Sequence, residues 1–320
     1  MAMQIDAVAV LGLGTMGHGI AQVFASAGHA VHCFDEERSV RTTLKDRVRK
    51  NLLAFVEADL MRRDEIDPVL ARLTIHDSEE ETVRGAQFIT EAIKEDLALK
   101  QELFQRLEQW IVPDAILVSN SSTFPISQSG KGLQQPQRAL VTHWFNPPHL
   151  VPLVEVVPGP ATLEDVTRTT MSLMRQAGKH PLWLRKELPG FLVNRIQVAI
   201  QREVWDLLQQ GVADAQEIDD ALRASVGFRM AAVGPLEVHD FGGLDIQTTV
   251  YRNLVSQIRG DTELPPIVRT LVDQGHLGVK SGRGFHEYSA ERRVERQGRR
   301  DALFLALTRL LYPPTGGEAK

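Results

Sequence analysis

Ala7-Val-Ala-Val-Leu-Gly-Leu-Gly-Thr-Met-Gly17 carries the pattern on which the architecture of this chain turns. Ala7 to Leu11 is a short apolar run of the buried-strand type, and a glycine turn follows it at once. His18 to Ala27 then reads as a helix ended by Gly28, and a second apolar run, Ala30-Val-His-Cys-Phe34, stops at Asp35. Strand, glycine turn, helix, strand and acid, in that order, is the context that a dinucleotide fingerprint requires. Gly12 permits the tight turn, Gly14 lets backbone approach a pyrophosphate, and Gly17 lets the helix sit close to the strand. Thr15 and Met16 complete the turn, and the first N–H groups of the helix face the phosphates. A carboxylate at Asp35 accepts ribose hydroxyls and repels a 2′-phosphate, so the expected cofactor is NAD rather than NADP. Arg38 is close enough in sequence to blur that preference.

Working outward, Val40, Leu44, Val48, Leu52 and Phe55 recur at helical spacing and predict one long amphipathic helix. Arg41, Lys45 and Arg49 make a basic stripe beside it, read as a solvated face or as a contact for an anionic substrate tail. Strands are expected at Gln87–Thr90 and Ala115–Ser119, with a helix from about Leu97 to Trp110 between them. The alternation predicts an α/β fold, a Rossmann-type doubly wound and mainly parallel sheet. A helix over Thr162–Ala177 and a last strand at His180–Leu184 close this domain, assigned to residues 1–188. From Asn194 onward helices dominate, and Asp214-Ala-Gln-Glu217 reads as a capping box. Residues 189–290 are therefore expected to be an all-helical domain, and 291–320 an extra helix with a flexible Pro/Gly end.

The chain has 320 residues, a net charge of −5 and a pI near 6.1, which removes any electrostatic case for nucleic acid. Cys33 is the sole cysteine, so intrachain disulfides are impossible and a reducing compartment fits. No apolar run approaches the ~20 residues of a membrane span. A soluble cytoplasmic protein with a small-molecule substrate, no membrane partner and no metal is expected.

Chemistry is expected at four polar residues. Glu155 lies in the apolar run Pro152-Leu-Val-Glu-Val-Val157, and a carboxylate so placed needs a partner. His143, at the end of the apolar run 138–142, is the best candidate, and a carboxylate-oriented imidazole is what proton abstraction from an alcohol requires. Ser122 follows a strand ending at Ser119, on the side where open α/β sheets bind ligands. Asn194 opens the first helix of the second domain, within reach of a cleft. Taken singly, each has an ordinary reading: a core ion pair, a turn serine, a helix cap.

Several ordered motifs together closely resemble the 3-hydroxyacyl-CoA dehydrogenase family, from about residue 6 to 289. They are Gly12-Leu-Gly-Thr-Met-Gly17, Glu91-Ala-Ile-Lys-Glu95, Ser119-Asn-Ser-Ser122, His143-Trp-Phe-Asn-Pro147, Leu153-Val-Glu-Val156, Pro189-Gly-Phe-Leu-Val-Asn-Arg195, Gly234-Pro-Leu-Glu237 and Lys280-Ser-Gly-Arg-Gly-Phe285. The resemblance implies an active site of Ser122, His143, Glu155 and Asn194. It also implies that Glu95, Lys100, Ser122, Asn146 and Lys280 line the cofactor groove, and that the helical domain forms a homodimer. Val151-Pro152 and the longer Gly227–Val233 segment depart from the acyl-CoA members and look like the branch that oxidises free hydroxy acids, such as L-gulonate and carnitine dehydrogenases. Arg229 is then the candidate fork for a substrate carboxylate. Asn120 and Leu277–Phe285 resemble the 3-hydroxybutyryl-CoA enzymes instead, so a CoA thioester is the alternative substrate. The same glycine run occurs in 3-hydroxyisobutyrate and 6-phosphogluconate dehydrogenases, but their lysine base in a glycine-rich helix is absent here. A lens crystallin also belongs to the family, which makes a non-catalytic role the distant alternative; keeping all four site residues argues against it.

Overall fold

The computed structural model describes residues 4–312, and the Pro/Gly end expected after the last helix lies outside them. Eight strands form one sheet: β1 (Ala7–Leu11), β2 (Ala30–Phe34), β3 (Leu73–Ile75), β4 (Phe88–Glu91), β5 (Ile116–Ser119), β6 (Ala139–Trp144), β7 (Leu153–Pro158) and β8 (His180–Trp183). Their order across the sheet is β3-β2-β1-β4-β5-β6-β7-β8. Every neighbouring pair is parallel except β6 and β7, which run antiparallel with His143 opposite Glu155. The order reverses between β1 and β4, the switch point at which such sheets open a ligand crevice. Central strands are buried on both faces, which is why they read as continuous apolar runs rather than alternating ones.

The helix after the glycine turn spans Gly17–Ser26 and buries Ile20, Val23 and Phe24. Phe24 stacks near Phe88 and Trp144, each with ring centroids 5.8 Å away, so this helix is keyed to strands β4 and β6 at once. The single helix expected over Val40–Phe55 is two: Arg38–Thr42 and Leu44–Glu57. Thr43 breaks it. Its hydroxyl donates to Ser39 O and Val40 O, and Arg47 Nη2 also donates to Val40 O at 2.9 Å, drawing carbonyls away from the helical ladder. The basic stripe is partly structural. Arg41 donates to Asp35 O and lies over the Phe34 ring, and Arg49 pairs with Asp67 at 2.9 Å.

The chain divides into two compact units. The first holds everything up to Asn194 together with the chain from Arg299 on; the second is Arg195–Gly298. The division falls after the expected 187–190 link, because side chains of the first unit hold residues 192–194. The 22-residue helix Ala290–Leu311, read as a separate extension, joins the first unit in its second half. Leu305 is buried there, and Thr308 Oγ1 donates to Leu150 O at 3.3 Å.

The second unit is helical, and its Asp214–Glu217 capping box forms as the sequence predicts. Among its described residues Ile218 is the one apolar side chain counted as buried. Phe228, Leu236 and Phe241 are 74%, 78% and 78% exposed. An open cavity of about 550 Å³ lies between Trp205, Ile218, Leu271 and Phe285. No helix among the described residues is long and apolar enough to cross a membrane.

Candidate active site

Gly12 has φ +86°, and a Cβ there would stand 2.6 Å from Ala92 O. A Cβ on Gly17 would fall 1.7 Å from Gly12 O. Both glycines are therefore demanded by the turn itself. Gly14 differs: a Cβ there would meet nothing within 4 Å, so its backbone faces open space at the start of the Gly17–Ser26 helix. That is the cradle a pyrophosphate needs, open where the phosphate would lie and rimmed by helix N–H groups. Thr15 and Met16 form the turn, with Thr15 exposed. At the end of β2, Asp35 Oδ2 accepts from Leu13 N at 2.7 Å and Oδ1 from Glu37 N at 2.9 Å, so the acid is tied to the glycine turn. Arg47, which the sequence reading passed over, donates to Leu13 O at 2.7 Å and braces the same turn.

Glu155 is completely buried, and its two oxygens are divided between two tasks. Oε2 receives His143 Nδ1 at 2.7 Å. Oε1 accepts from Leu192 N at 3.2 Å and Val193 N at 2.9 Å, which satisfies the orphan donors that open the Val193–Gln209 helix. His143 lies inside β6, one residue before its end, rather than just beyond the strand. It is 4% exposed and packs against Phe145 and Phe191, with ring centroids at 4.5 and 5.4 Å. With Nδ1 engaged, Nε2 is the nitrogen left for a substrate. Asn194 stands in the first turn of the helix, and its Nδ2 donates to Ser122 O at 3.0 Å. The four expected residues thus form two contacting pairs, His143 with Glu155 and Asn194 with Ser122, linked through the backbone of residues 192–194, all within the first unit.

Ser122 is held from beneath by Glu95. One oxygen, Oε1, accepts from Ser121 Oγ at 2.6 Å, Ser122 N at 3.0 Å, Thr123 N at 3.1 Å and Thr123 Oγ1 at 2.8 Å. Burial works against ionisation of Glu95, but the Ser121 hydroxyl, the Lys100 ammonium and Thr123 outweigh it and hold its carboxyl below the usual range. Lys100, expected to line the cofactor groove, is buried. It is 1% exposed and pairs with Glu91 at 2.5 Å and Glu95 at 3.2 Å. The reason is Glu91, fully buried at the end of β4, where burial pushes the carboxyl up against the pull of Lys100 and Ser119. The sequence alone gives Glu91 no role. Its signal was the one that marked Glu155, a carboxylate at the end of an apolar strand run. Asn120 is a second omission: its Oδ1 accepts from Trp144 N at 3.1 Å, tying the end of β5 to β6. Asn146 is exposed beyond β6. Arg229 and Lys280 belong to the second unit, Arg229 exposed and Lys280 lining its cavity. No group of His, Cys, Asp and Glu among the described residues could hold a metal ion.

Residues 7–188 match the model of the 3-hydroxyacyl-CoA dehydrogenase NAD binding domain, and residues 190–288 match that of the C-terminal domain. The chain belongs to the 3-hydroxyacyl-CoA dehydrogenase family. It is 30% identical over 306 residues to 5-formyl-3-hydroxy-2-methylpyridine 4-carboxylate 5-dehydrogenase of Mesorhizobium japonicum, covering 95% of this chain and 97% of the relative. It is 34% identical over 287 residues to a probable 3-hydroxybutyryl-CoA dehydrogenase of Bacillus subtilis, covering 89% and 98%. Among solved structures, a 5-formyl-3-hydroxy-2-methylpyridine 4-carboxylic acid 5-dehydrogenase, described as an NAD+-dependent dismutase, superposes with a TM-score of 0.89 at 28% identity, covering 96% of this chain and 99% of that one. This family member is an NAD-dependent oxidoreductase acting on CH–OH groups, and the open cradle at Gly14 and the acid at Asp35 fit that cofactor. Asp35→Ala should weaken NAD binding and narrow the preference over NADP. Fluorescence titration with both cofactors checks this, and an unchanged NAD affinity would contradict the placement of the ribose at Asp35.

Proposed function

We propose that the protein oxidises the L-3-hydroxyl of a small free hydroxy acid to the ketone, reversibly, with His143 as the general base. The observation that carries the reading is the divided carboxylate of Glu155, which commits His143 Nδ1 and turns Nε2 to the substrate. His143 Nε2 takes the hydroxyl proton, and Glu155 stabilises the imidazolium that results. The Ser122 hydroxyl and the Asn194 amide hold the substrate oxygen in line, a positioning contribution worth orders of magnitude in rate. Bound NAD supplies the hydride acceptor. Asp35, Glu95 and Asn146 are assigned to the cofactor, with Lys100 acting on it through Glu95.

Support for a free acid comes from the Mesorhizobium relative, which is named for a pyridine carboxylate and matches 95% of this chain. Arg229, exposed and without an ion pair among the described residues, is assigned to the substrate carboxylate. A planar fork meeting a carboxylate in two charge-assisted bonds contributes roughly 1.5–3 kcal/mol. The second reading, a short 3-hydroxyacyl-CoA, draws on the family itself and on the Bacillus subtilis relative.

His143→Gln should lower kcat by at least ~10²-fold with NAD affinity unchanged. Glu155→Gln keeps an acceptor for Leu192 and Val193 but removes the charge, so turnover should fall while the fold survives. Steady-state rates and circular dichroism check both, and full activity in either variant would remove that residue from the mechanism. On a panel of free and CoA-linked L-3-hydroxy acids, free acids should be turned over. Arg229→Met should raise their KM by about 10- to 200-fold and leave thioesters untouched. Efficient turnover of 3-hydroxybutyryl-CoA with none of the free acids decides for the second reading.

The exposed Phe228, Leu236 and Phe241 of the helical unit are assigned to a homodimer interface, since monomers rarely leave so large an apolar surface in water. Sedimentation should give a dimer that Phe241→Glu weakens; a wild-type monomer at micromolar concentration would exclude it.

A further inference from the structure

The loop of residues 145–152 joins the strand that carries His143 to the strand that carries Glu155, and it is gripped from three sides. On the first side it lies against the Gly17–Ser26 helix. A Cβ on Gly19 would stand 2.7 Å from Pro148 Cγ and 2.9 Å from His149 Nδ1, so the helix beside the phosphate cradle and this loop are in direct packing. On the second side is Lys179, in the turn before β8. Its Nζ donates to Pro148 O at 2.5 Å and Val151 O at 3.0 Å, and lies 5.5 Å from the Trp144 ring centroid. Lys179 makes no ion pair among the described residues, so its ammonium is spent on backbone carbonyls of this one loop. Burial pushes its pKa down to about 7. On the third side is the end of the Ala290–Leu311 helix: Thr308 donates to Leu150 O, Leu305 is buried, and Tyr312 lies 5.5 Å from the His180 ring.

The loop therefore has the catalytic hairpin at its two ends and the cofactor helix at its middle. Any shift of it moves the base relative to the hydride acceptor. Misplacement by 1 Å costs about 10²-fold in rate when reacting atoms must be aligned. Residues from Arg299 on lie beyond both family matches, so the third grip is an addition to the family's two domains.

We propose that Lys179 and the end of the C-terminal helix are positioning residues that clamp loop 145–152 and thereby set the geometry of hydride transfer. The proposal rests on the reading of His143 as base. Thr308→Val removes one hydroxyl donor at constant shape. Lys179→Met removes the charge and both hydrogen bonds while keeping a stem against Trp144, and Lys179→Arg restores a donor. Deletion of residues 299–320 removes the third grip.

Each variant is tested with NAD and with the best substrate of the panel, protiated and deuterated at C3. Lys179→Met and the deletion should lower kcat by about 10-fold and Thr308→Val by about 3-fold. NAD affinity and substrate KM should stay within about 2-fold, and the primary deuterium isotope effect on kcat should rise. Lys179→Arg should recover part of the loss. Folded point variants with wild-type kcat and isotope effect overturn the clamp. A fall in NAD affinity that matches the fall in turnover also overturns it, because the loop would then serve cofactor binding alone. If the deletion fails to fold, Thr308→Val and Lys179→Met decide the matter by themselves. If His143→Gln retains full turnover while the clamp variants are slowed, the base assignment fails and the clamp stands. The reverse result sinks the clamp and leaves the base.

Discussion

Three hydrogen bonds share out the Glu155 carboxylate, and the arrangement of the fold around the site depends on them. A carboxylate with no exposure must have both oxygens satisfied or lose its charge. Here one oxygen orients an imidazole and the other caps the helix that leads away from the sheet. A single carboxyl group therefore links β7, β6 and the Val193–Gln209 helix. The antiparallel pairing of β6 with β7 is what makes this possible, because it sets His143 directly across from Glu155.

A second buried polar cluster lies at the end of β4, two strands from β6. Glu91 and Glu95 both meet Lys100, and Glu95 also accepts from five donors of the Ser121–Thr123 turn. The turn bearing Ser122 is thus held by electrostatics rather than by packing. Removing one member of such a set leaves an uncompensated charge in the interior, which costs far more than the net contribution of the intact set.

Much of this was legible in the sequence wherever a local pattern carried the cause. The glycine turn needed only three glycines, two apolar runs and an acid. The His143–Glu155 pair needed only the incongruity of a carboxylate among valines. What escaped was set by partners distant in sequence. Thr43 looked like one more helical residue until Arg47 and its own hydroxyl took the carbonyls of Ser39 and Val40. Lys100 read as a groove residue because nothing nearby shows that Glu91 lies beneath it. The docking of Thr308 onto a loop 158 positions earlier has no signature except an apolar stripe in the last helix, which many partners could bury.

The tie between Asp35 and the glycine turn bears on the thermodynamics of loading. Leu13 N and Glu37 N already grip both oxygens, and Arg47 braces the same turn from the side. The acid assigned to the adenosine is therefore held in place before any nucleotide arrives. Little rotamer or backbone freedom is left there to surrender on association, so the affinity at this end is spent on recognition rather than on ordering the protein.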